Sequence, residues 1–221
     1  MFQNKKPVIA IDGTAGSGKG TLAKKLALYF SFDHLDSGIL YRIFAYELLK
    51  QKINFNDLEK VKINFKTILM EKKFNPNELR TDEVTKVSSE VAKKEFVRKK
   101  LILIQREFCD NPPSGIGSVI DGRDITSVIA PKAEVKFYID ADLKIRAKRR
   151  LAQLDLDHNF YDDVLKKIKN RDAQDKKRKL SPLLKTPDSY LIDTTNLNED
   201  ESLQLAINYI KKNQILFSDC I

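Results

Sequence analysis

The chain has 221 residues, 42% of them hydrophobic, which is enough for one domain with a continuous core. Its longest apolar runs are only strand-length, far short of the roughly 20 residues that a membrane span requires. With 40 Lys and Arg against 31 Asp and Glu, the formal net charge is +9, which favours anionic partners such as nucleic acid, anionic lipid or phosphorylated small molecules.

Cysteine and histidine are too few to build a disulfide scaffold or a metal centre. Cys109 and Cys220 lack metal-ligand spacing, and His34 and His158 stand alone in the sequence. The N-terminus also lacks the pattern of a secretory signal, so we expect a cytoplasmic protein with no membrane partner. No apolar association stripe is evident, and a monomer is expected.

The first half of the chain begins as a strand, a loop and a helix. Strands are predicted at Val8–Asp12 and Phe32–Asp36, and helices at Lys19–Phe30 and Gly38–Lys50. Residues 52–80 are rich in Lys and Asn without sustained periodicity, which indicates a small insert. Helical spacing of apolar residues from Val84 then predicts one helical segment that runs to about Phe108.

The second half alternates strands with helices. After a loop at Asn111–Gly117, strands are predicted at Ser118–Asp121, Val135–Asp140 and Tyr190–Asp193, and helices at about 142–155, 160–179 and 199–212. This alternation predicts an α/β fold with a five-stranded parallel sheet flanked by helices. Acidic or Gly residues end several of the strands, which is where such sheets bind ligands.

The strongest motif lies between the first strand and the first helix. Its residues are Gly13, Thr14, Ala15, Gly16, Ser17, Gly18, Lys19, Gly20 and Thr21. Glycines let the backbone curl so that successive N–H groups point at phosphate oxygens, and the helix adds the positive end of its dipole. Lys19 supplies a charge for the β- and γ-phosphates. The motif predicts an ATP-binding P-loop, although its hydroxyl comes one residue late, at Thr21, which leaves direct ligation of Mg²⁺ open.

Two further segments contain arginine directly after a strand. Residues 36–42 read Asp-Ser-Gly-Ile-Leu-Tyr-Arg, and residues 121–124 read Asp-Gly-Arg-Asp. Both resemble signatures of the bacterial cytidylate kinases, and the Gly-Lys-Gly-Thr of the P-loop resembles nucleoside monophosphate kinases in particular. Further matches follow in order: Ser89, Val97-Arg98, residues 146–150, Arg171-Asp172, Asp175, Arg178 and Pro182. Together the matches span nearly the whole chain.

The resemblance implies a single P-loop kinase domain over residues 1–221. It further implies a nucleotide-acceptor insert at about 37–109 and a short lid at about 146–160. The reaction it implies uses Mg²⁺ with ATP as phosphoryl donor and CMP or dCMP as acceptor, in pyrimidine nucleotide metabolism, with no nucleic-acid partner. ATP would lie on the P-loop, and CMP would lie under the insert.

The resemblance also assigns the acceptor site. The CMP-binding residues that it implies are Ser37, Arg42, Ser89, Arg98, Arg123, Asp124, Arg171, Asp175 and Arg178. Arg42, Arg123 and Arg178 would hold the acceptor phosphate, since a planar guanidinium pairs with two oxygens at once and keeps its charge. Asp175 would bind pentose hydroxyls beside Arg171. Asp124 and Arg98 would read the cytosine base, assisted by Ser89.

Helical spacing groups two sets of these residues. Arg171, Asp175 and Arg178 are spaced i, i+4 and i+7, so a helix places them on one face, where they serve either the acceptor or a surface salt-bridge ladder. A second set, Arg146, Arg149 and Arg150, shares a helix face away from the apolar positions. We interpret that set as lid arginines that neutralise the transferring phosphoryl group; a solvated basic face is the alternative.

Ser89 and Arg98 are difficult to bring to one base. Nine residues on an unbroken helix place them on opposite sides, so both can contact the base only if the chain bends between them. Residues 93–95 contain no Pro or Gly to cause such a bend.

Transfer to an ionised phosphate oxygen needs positioning and charge neutralisation, and it needs no general base. The predicted catalytic residues are Lys19, Arg123, Arg146, Arg149 and Arg150. Asp36 and Asp121 end strands beside the P-loop, where a carboxylate can hold Mg²⁺, largely through its waters. An Asp at a strand end can also simply cap a turn.

Three other functions are compatible with parts of the sequence. A kinase for dTMP, UMP or AMP shares the P-loop and arginine chemistry. A P-loop regulatory ATPase fits the loop and the net charge but does not account for Asp36 and Ser37 together with Arg42. A non-enzymatic nucleic-acid binder would interleave aromatic residues with Lys and Arg, whereas the twelve Phe fall mostly in apolar positions.

Overall fold

A computed structural model of the protein describes residues 5–53, 74–75 and 77–213. The chain folds as two units, one formed by Met1–Leu35 with Cys109–Ile221 and the other by Asp36–Phe108. The second unit has nearly the bounds of the predicted acceptor insert, whose role stays a prediction. Cys220 and most of the predicted 52–80 insert lie outside the described residues.

A parallel sheet organises the first unit. Its strands are β1 Val8–Gly13, β2 Asp33–Asp36, β3 Ser118–Gly122, β4 Val135–Asp140 and β5 Tyr190–Asp193, in the spatial order β2-β3-β1-β4-β5. β1 pairs in parallel with both β3 and β4, and β4 pairs in parallel with β5. The predicted α/β fold with a five-stranded parallel sheet is confirmed.

Strand register brings three strand ends to one edge of the sheet. Ile11 lies opposite Asp121, and Gly13 lies opposite Ile139. β1 and β3 are buried along their whole length, as expected for central strands covered on both faces. The loop after β1 therefore opens at the carboxyl edge, between β3 and β4, where parallel sheets bind ligands.

Helices connect the strands and fall close to the predicted positions, with one exception. They are α1 Lys19–Phe30, α2 Ser37–Lys50, α3 Asp82–Val91, α4 Glu95–Asp110, α5 Leu143–Gln153, α6 Tyr161–Lys177 and α7 Glu199–Lys212, with short helical turns at Glu78–Arg80, Ile125–Ile129 and His158–Phe160. A capping box formed by Asn198 and Glu201 begins α7. Among the helices of the described ranges, none is both long and apolar enough to cross a membrane.

The main apolar core fixes α1 against the sheet. Leu22 and Leu26 of α1, with Ile207 and Ile210 of α7, belong to one buried cluster that includes side chains of β1, β3, β4 and β5. Burial of each such side chain stabilises the fold by about 1.5–3 kcal/mol. Because α1 begins at Lys19, this packing also fixes the helix end that borders the P-loop.

The exception is the segment predicted as one helix to about Phe108. Two helices, α3 and α4, replace it, with a break at residues 92–94. In an unbroken helix the Ala92 carbonyl would accept the Phe96 N–H. Here it accepts the Nε–H of Arg98 over 2.7 Å, and the Arg98 N–H donates to the Lys94 carbonyl to restart the helix. A side chain thus supplies the bend that the absence of Pro and Gly argued against.

Candidate active site

The P-loop backbone requires glycine at particular positions. Gly16 and Gly18 have left-handed φ angles of 76° and 87°, which side chains with a Cβ rarely adopt. At Gly13, a Cβ would lie 2.2 Å from the Ile139 carbonyl oxygen, because the loop leaves β1 in close contact with β4. These three glycines set the course of the loop.

The first loop residues are hydrogen-bonded to the protein itself. Thr14 donates its N–H to the Ile139 carbonyl over 3.2 Å and its hydroxyl to Asp140 over 2.6 Å. The Ala15 N–H donates to Asp172 over 2.9 Å. The amides of Thr14 and Ala15 therefore point into the fold and are not available to a phosphate. Phosphate contacts from the loop amides therefore have to come from residues after Ala15.

Lys19 is the first residue of α1 and is partly exposed, as a phosphate-binding cation at a helix N-terminus must be. Gly18, which precedes it, is the N-cap and has no side chain to satisfy the amides of the first turn. Such amides, together with the helix dipole, favour an anion at this end of the helix. Lys19 and the first turn of α1 thus form the positive part of the candidate donor site.

Asp121 lies beside the loop, and Asp36 caps a helix. A Cβ built on Gly20 would lie 3.7 Å from the Asp121 Oδ2. The other oxygen, Oδ1, is 2.9 Å from His34 Nε2, with the imidazole as donor. Asp36 accepts the Gly38 N–H over 2.9 Å as the N-cap of α2. Buried Asp121 therefore offers the hard oxygen ligand that Mg²⁺ prefers, whereas Asp36 already has a capping role.

Asp12 is a site residue that the sequence reasoning missed. Its fully buried carboxylate accepts the Ile125 N–H over 2.9 Å, the Thr126 N–H over 2.8 Å and the Thr126 hydroxyl over 2.7 Å. It thereby fixes the turn that begins directly after Asp124. Burial raises the pKa of Asp12 to about 6, although the hydrogen bonds from Ile125 and Thr126 lower it. An acidic residue just before the P-loop was the available sequence signal.

Asp12 should give the protein a measurable pH signature. Its pKa of about 6 in the fold exceeds the value of about 3.9 of an unfolded chain, so the folded state binds the proton more tightly. Stability from this group is fully present below the unfolded pKa and is lost as the pH rises through the folded one. We expect the free energy of unfolding, taken relative to Asp12→Asn, to fall between about pH 4 and pH 6. Urea unfolding of both proteins measures it, and a difference that rises with pH contradicts the assignment.

Four predicted acceptor-site residues form one cluster in the first unit. Arg123 donates to Asp175 over 2.8 Å. Arg178 lies 3.5 Å from the other oxygen of Asp175 and 3.8 Å from Asp124. Asp124 is itself buried, and one of its carboxylate oxygens faces Arg178. Two guanidinium groups and two carboxylates thus converge at the ends of β3 and α6.

The charges of this cluster reinforce one another. Burial raises the pKa of Asp175, but the charges of Arg123, Arg171 and Arg178 outweigh it and hold the pKa below its usual value. The charge of Arg171 therefore acts on Asp175 together with those of Arg123 and Arg178, as expected from its position one helical turn before Asp175. Arg178 departs from the prediction in one respect, since α6 ends at Lys177 and Arg178 is its extended C-cap. Its side chain reaches the cluster from beyond the helix.

In the second unit, Arg42 and Ser89 meet at Thr85. Arg42 donates to the Thr85 hydroxyl over 2.8 Å and to the Leu79 carbonyl over 2.9 Å. The Ser89 hydroxyl donates to the Thr85 carbonyl over 3.1 Å. The turn at residues 78–80 and helix α3 therefore fix both predicted ligands. No sequence signal marked Thr85 for this role.

Arg98 is buried within the second unit beside an aromatic ring. Its guanidinium carbon lies 5.6 Å from the centre of the Tyr41 ring, a cation–π distance, and its Nε bonds the Ala92 carbonyl. Tyr41 belongs to the signature of residues 36–42. Its contact with Arg98 explains why a tyrosine stands at this position, since the ring orients the guanidinium group. Ser37, the first residue of α2, is also buried.

The three arginines assigned to the lid have different environments. Arg146 is buried at 6% exposure and contacts Ala15, Ala141 and Asp172. Arg149 donates to the Thr194 hydroxyl and carbonyl and to the Leu197 carbonyl, after β5. Arg150 bonds Gln153 of its own helix. A solvated basic face, the alternative to a lid, does not describe Arg146, because the first turn of α5 packs against the P-loop.

Comparisons with known proteins identify the family of the chain. Residues 9–212 match the family model described as Cytidylate kinase. Proteins named cytidylate kinase from Bartonella bacilliformis and Bradyrhizobium diazoefficiens are 41% and 40% identical to the chain over 205 and 206 residues. The two alignments cover 92% of this chain and 94% and 95% of those relatives.

A solved structure is similar in fold. The crystal structure of an uncharacterized protein from Eubacterium ventriosum aligns with a TM-score of 0.57 at 18% identity. The alignment covers 93% of this chain and 99% of that one. At this identity the likeness concerns the fold alone.

Proposed function

The chain belongs to the cytidylate kinase family and is a phosphotransferase, and we propose that it transfers the γ-phosphoryl group of Mg-ATP to CMP or dCMP. The observation that carries this proposal is the match to the family over residues 9–212, at about 40% identity to named cytidylate kinases. Other parts of the proposal rest on the sequence alone. They are that the protein is a monomer, and that it acts in the cytoplasm in pyrimidine nucleotide metabolism.

On the donor side, we propose that ATP binds the P-loop through Lys19 and the amides that follow Ala15. The left-handed backbone of Gly16 and Gly18 supports this assignment, because it turns consecutive amides in one direction. Mg²⁺ would be held by Asp121, largely through water, and would supply further positive charge to the phosphates. His34 keeps the Asp121 carboxylate oriented through the 2.9 Å hydrogen bond.

On the acceptor side, Arg123 and Arg178 are the proposed ligands of the CMP phosphate in the first unit. Arg123 and Arg178 each form an ion pair with Asp175. Asp175 therefore holds the two guanidinium groups close together, where both could bind one phosphate. Asp175 and Arg171 would bind the pentose, and Asp124 would accept a hydrogen bond from the N4 amino group of cytosine. The remaining proposed CMP ligands are Ser37, Arg42, Ser89 and Arg98, all of them residues of the second unit.

Phosphoryl transfer to this acceptor requires the protein to position the two nucleotides and to neutralise their charge. The acceptor phosphate oxygen is already ionised, so no side chain has to remove a proton. Lys19 and Arg123 would neutralise charge on the transferring group. Arg149 and Arg150 remain proposed lid arginines, and lid closure would exclude the water that otherwise hydrolyses ATP.

A nucleotide kinase releases ADP only when its acceptor is present, whereas a P-loop ATPase does not need an acceptor. Measuring ADP release for the wild type and for Arg123→Lys therefore tests both the proposed reaction and the proposed acceptor site. We expect ADP release from Mg-ATP to require CMP, and Arg123→Lys to raise the KM for CMP about 10- to 100-fold with ATP binding within twofold. Lysine keeps the charge but cannot pair with two phosphate oxygens at once. The hydrogen bond that is lost contributes about 1.5–3 kcal/mol, because it joins charged groups.

The same assay separates the outcomes. ADP release that is independent of CMP would instead identify an ATPase. Equal losses of CMP and ATP affinity in Arg123→Lys would place Arg123 outside the acceptor site. Lys132→Arg, an exposed change after the turn at Ile125–Ile129, is the matched control and should alter neither affinity.

A further inference from the structure

Arg146 is bonded to the P-loop rather than exposed above it. Its NH1 donates to the Ala15 carbonyl over 3.0 Å and also to Asp172, and its Nε donates to the Ala141 carbonyl over 2.8 Å. Its side chain is only 8% exposed. A guanidinium with these partners is committed to backbone and carboxylate oxygens of its own fold.

Asp172 completes the arrangement from helix α6. Its Oδ2 pairs with Arg146, and its Oδ1 accepts the Ala15 N–H over 2.9 Å. Both backbone groups of Ala15 are therefore held, the carbonyl by the arginine and the amide by the aspartate. The pair bridges α5 and α6 to a single residue of the loop.

Apolar packing acts at the same residue. The Ala15 side chain belongs to a buried cluster with Ala147 and Leu151 of α5 and Val164 and Ile168 of α6. Gly16, which follows, adopts a left-handed φ of 76°, and a Cβ there would lie 3.3 Å from the Arg146 carbonyl oxygen. The direction of the next amides depends on where Ala15 is held.

We propose that Arg146 and Asp172 are positioning residues that hold the P-loop in its phosphate-binding form, and that Arg146 does not contact the transferring phosphoryl group. The proposal rests on the proposed function in one respect, since the ligand of the loop is taken to be ATP. It separates Arg146 from Arg149, which bonds Thr194 and Leu197, and from Arg150, which bonds Gln153 of its own helix.

The two roles predict different losses. A lid arginine acts in the transition state, so its removal lowers kcat and leaves ATP affinity nearly unchanged. A residue that positions the loop acts on the bound ground state as well, since a displaced loop weakens every amide contact to the phosphates. Loss of one hydrogen bond to a charged phosphate oxygen weakens binding roughly tenfold or more.

The test measures ATP binding by calorimetry in the absence of any acceptor, for Arg146→Met and Asp172→Asn. We expect each variant to weaken ATP binding about tenfold or more, with the KM for CMP within about twofold of wild type. Lys144→Met, an exposed change on the same helix and outside the predicted lid, is the control and should bind ATP as wild type does. Because CMP is absent from the binding measurement, the result does not depend on which acceptor the enzyme uses.

Removal of one buried charge leaves the other uncompensated, so a single variant can fail to fold. Arg146→Met combined with Asp172→Asn removes both charges and replaces the single variants if circular dichroism shows them unfolded. Wild-type ATP affinity in the folded variants, single or double, with a reduced kcat, overturns the proposal and assigns Arg146 to the phosphoryl group.

Discussion

Lys19→Ala should lower kcat/KM on the order of 1,000-fold or more while leaving the melting temperature unchanged. Lys19 opens α1 and is partly exposed, so it contributes charge to the site rather than packing to the core. Electrostatic groups aimed at developing charge are among the largest contributors to catalysis. Alanine is also the best helix former, so the helix itself is not weakened.

Lys24→Ala on the same helix provides the control for this prediction. Lys24 is exposed, and its replacement removes one positive charge from α1 without touching the P-loop. Steady-state rates and thermal melting of both variants are compared with wild type. Near-normal turnover in Lys19→Ala, with an unchanged melting curve, contradicts the assignment of the P-loop to ATP.

Asp124→Asn should reduce the preference for CMP over UMP about 100-fold. Cytosine offers an amino donor at N4, which suits a carboxylate, whereas uracil presents its O4 acceptor at the same edge. Two opposed acceptors in a buried site are strongly unfavourable, and such mismatches reject an analogue by factors on the order of 10⁴. Asparagine can turn its N–H toward O4, so the rejection of UMP weakens while CMP loses its partner.

The geometry around Asp124 makes this variant informative. Asp124 is buried, it lies 3.8 Å from Arg178, and its backbone is fixed by the turn that Asp12 holds. The substitution therefore changes charge and hydrogen bonding with little change of shape. Asp163→Asn, an exposed carboxylate on α6, controls for the loss of one negative charge. An unchanged ratio of catalytic efficiencies for CMP and UMP means that the base is read elsewhere.

Local patterns in the sequence were sufficient to predict the sheet and the P-loop. The buried strand Val135–Asp140 is an apolar run interrupted only by Lys136 before its final Asp, and the helix Glu199–Lys212 begins at a capping box; both have the predicted bounds. These signals depend only on neighbouring residues. The same holds for the glycines of the P-loop, whose left-handed backbone follows from the motif itself.

Features that depend on contacts distant in sequence were not predictable in the same way. The break between α3 and α4 arises because the Arg98 side chain bonds the Ala92 carbonyl, and no breaker residue marks it. Arg146 reaches a P-loop residue 131 positions earlier, and helical spacing alone does not show that this end of the helix packs against the loop. Asp12 holds residues more than 100 positions away, at Ile125 and Thr126.

Acceptor choice tests the central claim most directly, since a kinase for UMP, AMP or dTMP would share the P-loop and the arginine cluster. Catalytic efficiencies should be measured with Mg-ATP and each of CMP, dCMP, UMP, AMP and dTMP on one preparation of the enzyme. The account predicts the highest values for CMP or dCMP, at least 100-fold above that for UMP. A higher efficiency with UMP, AMP or dTMP than with either cytidine nucleotide would contradict it.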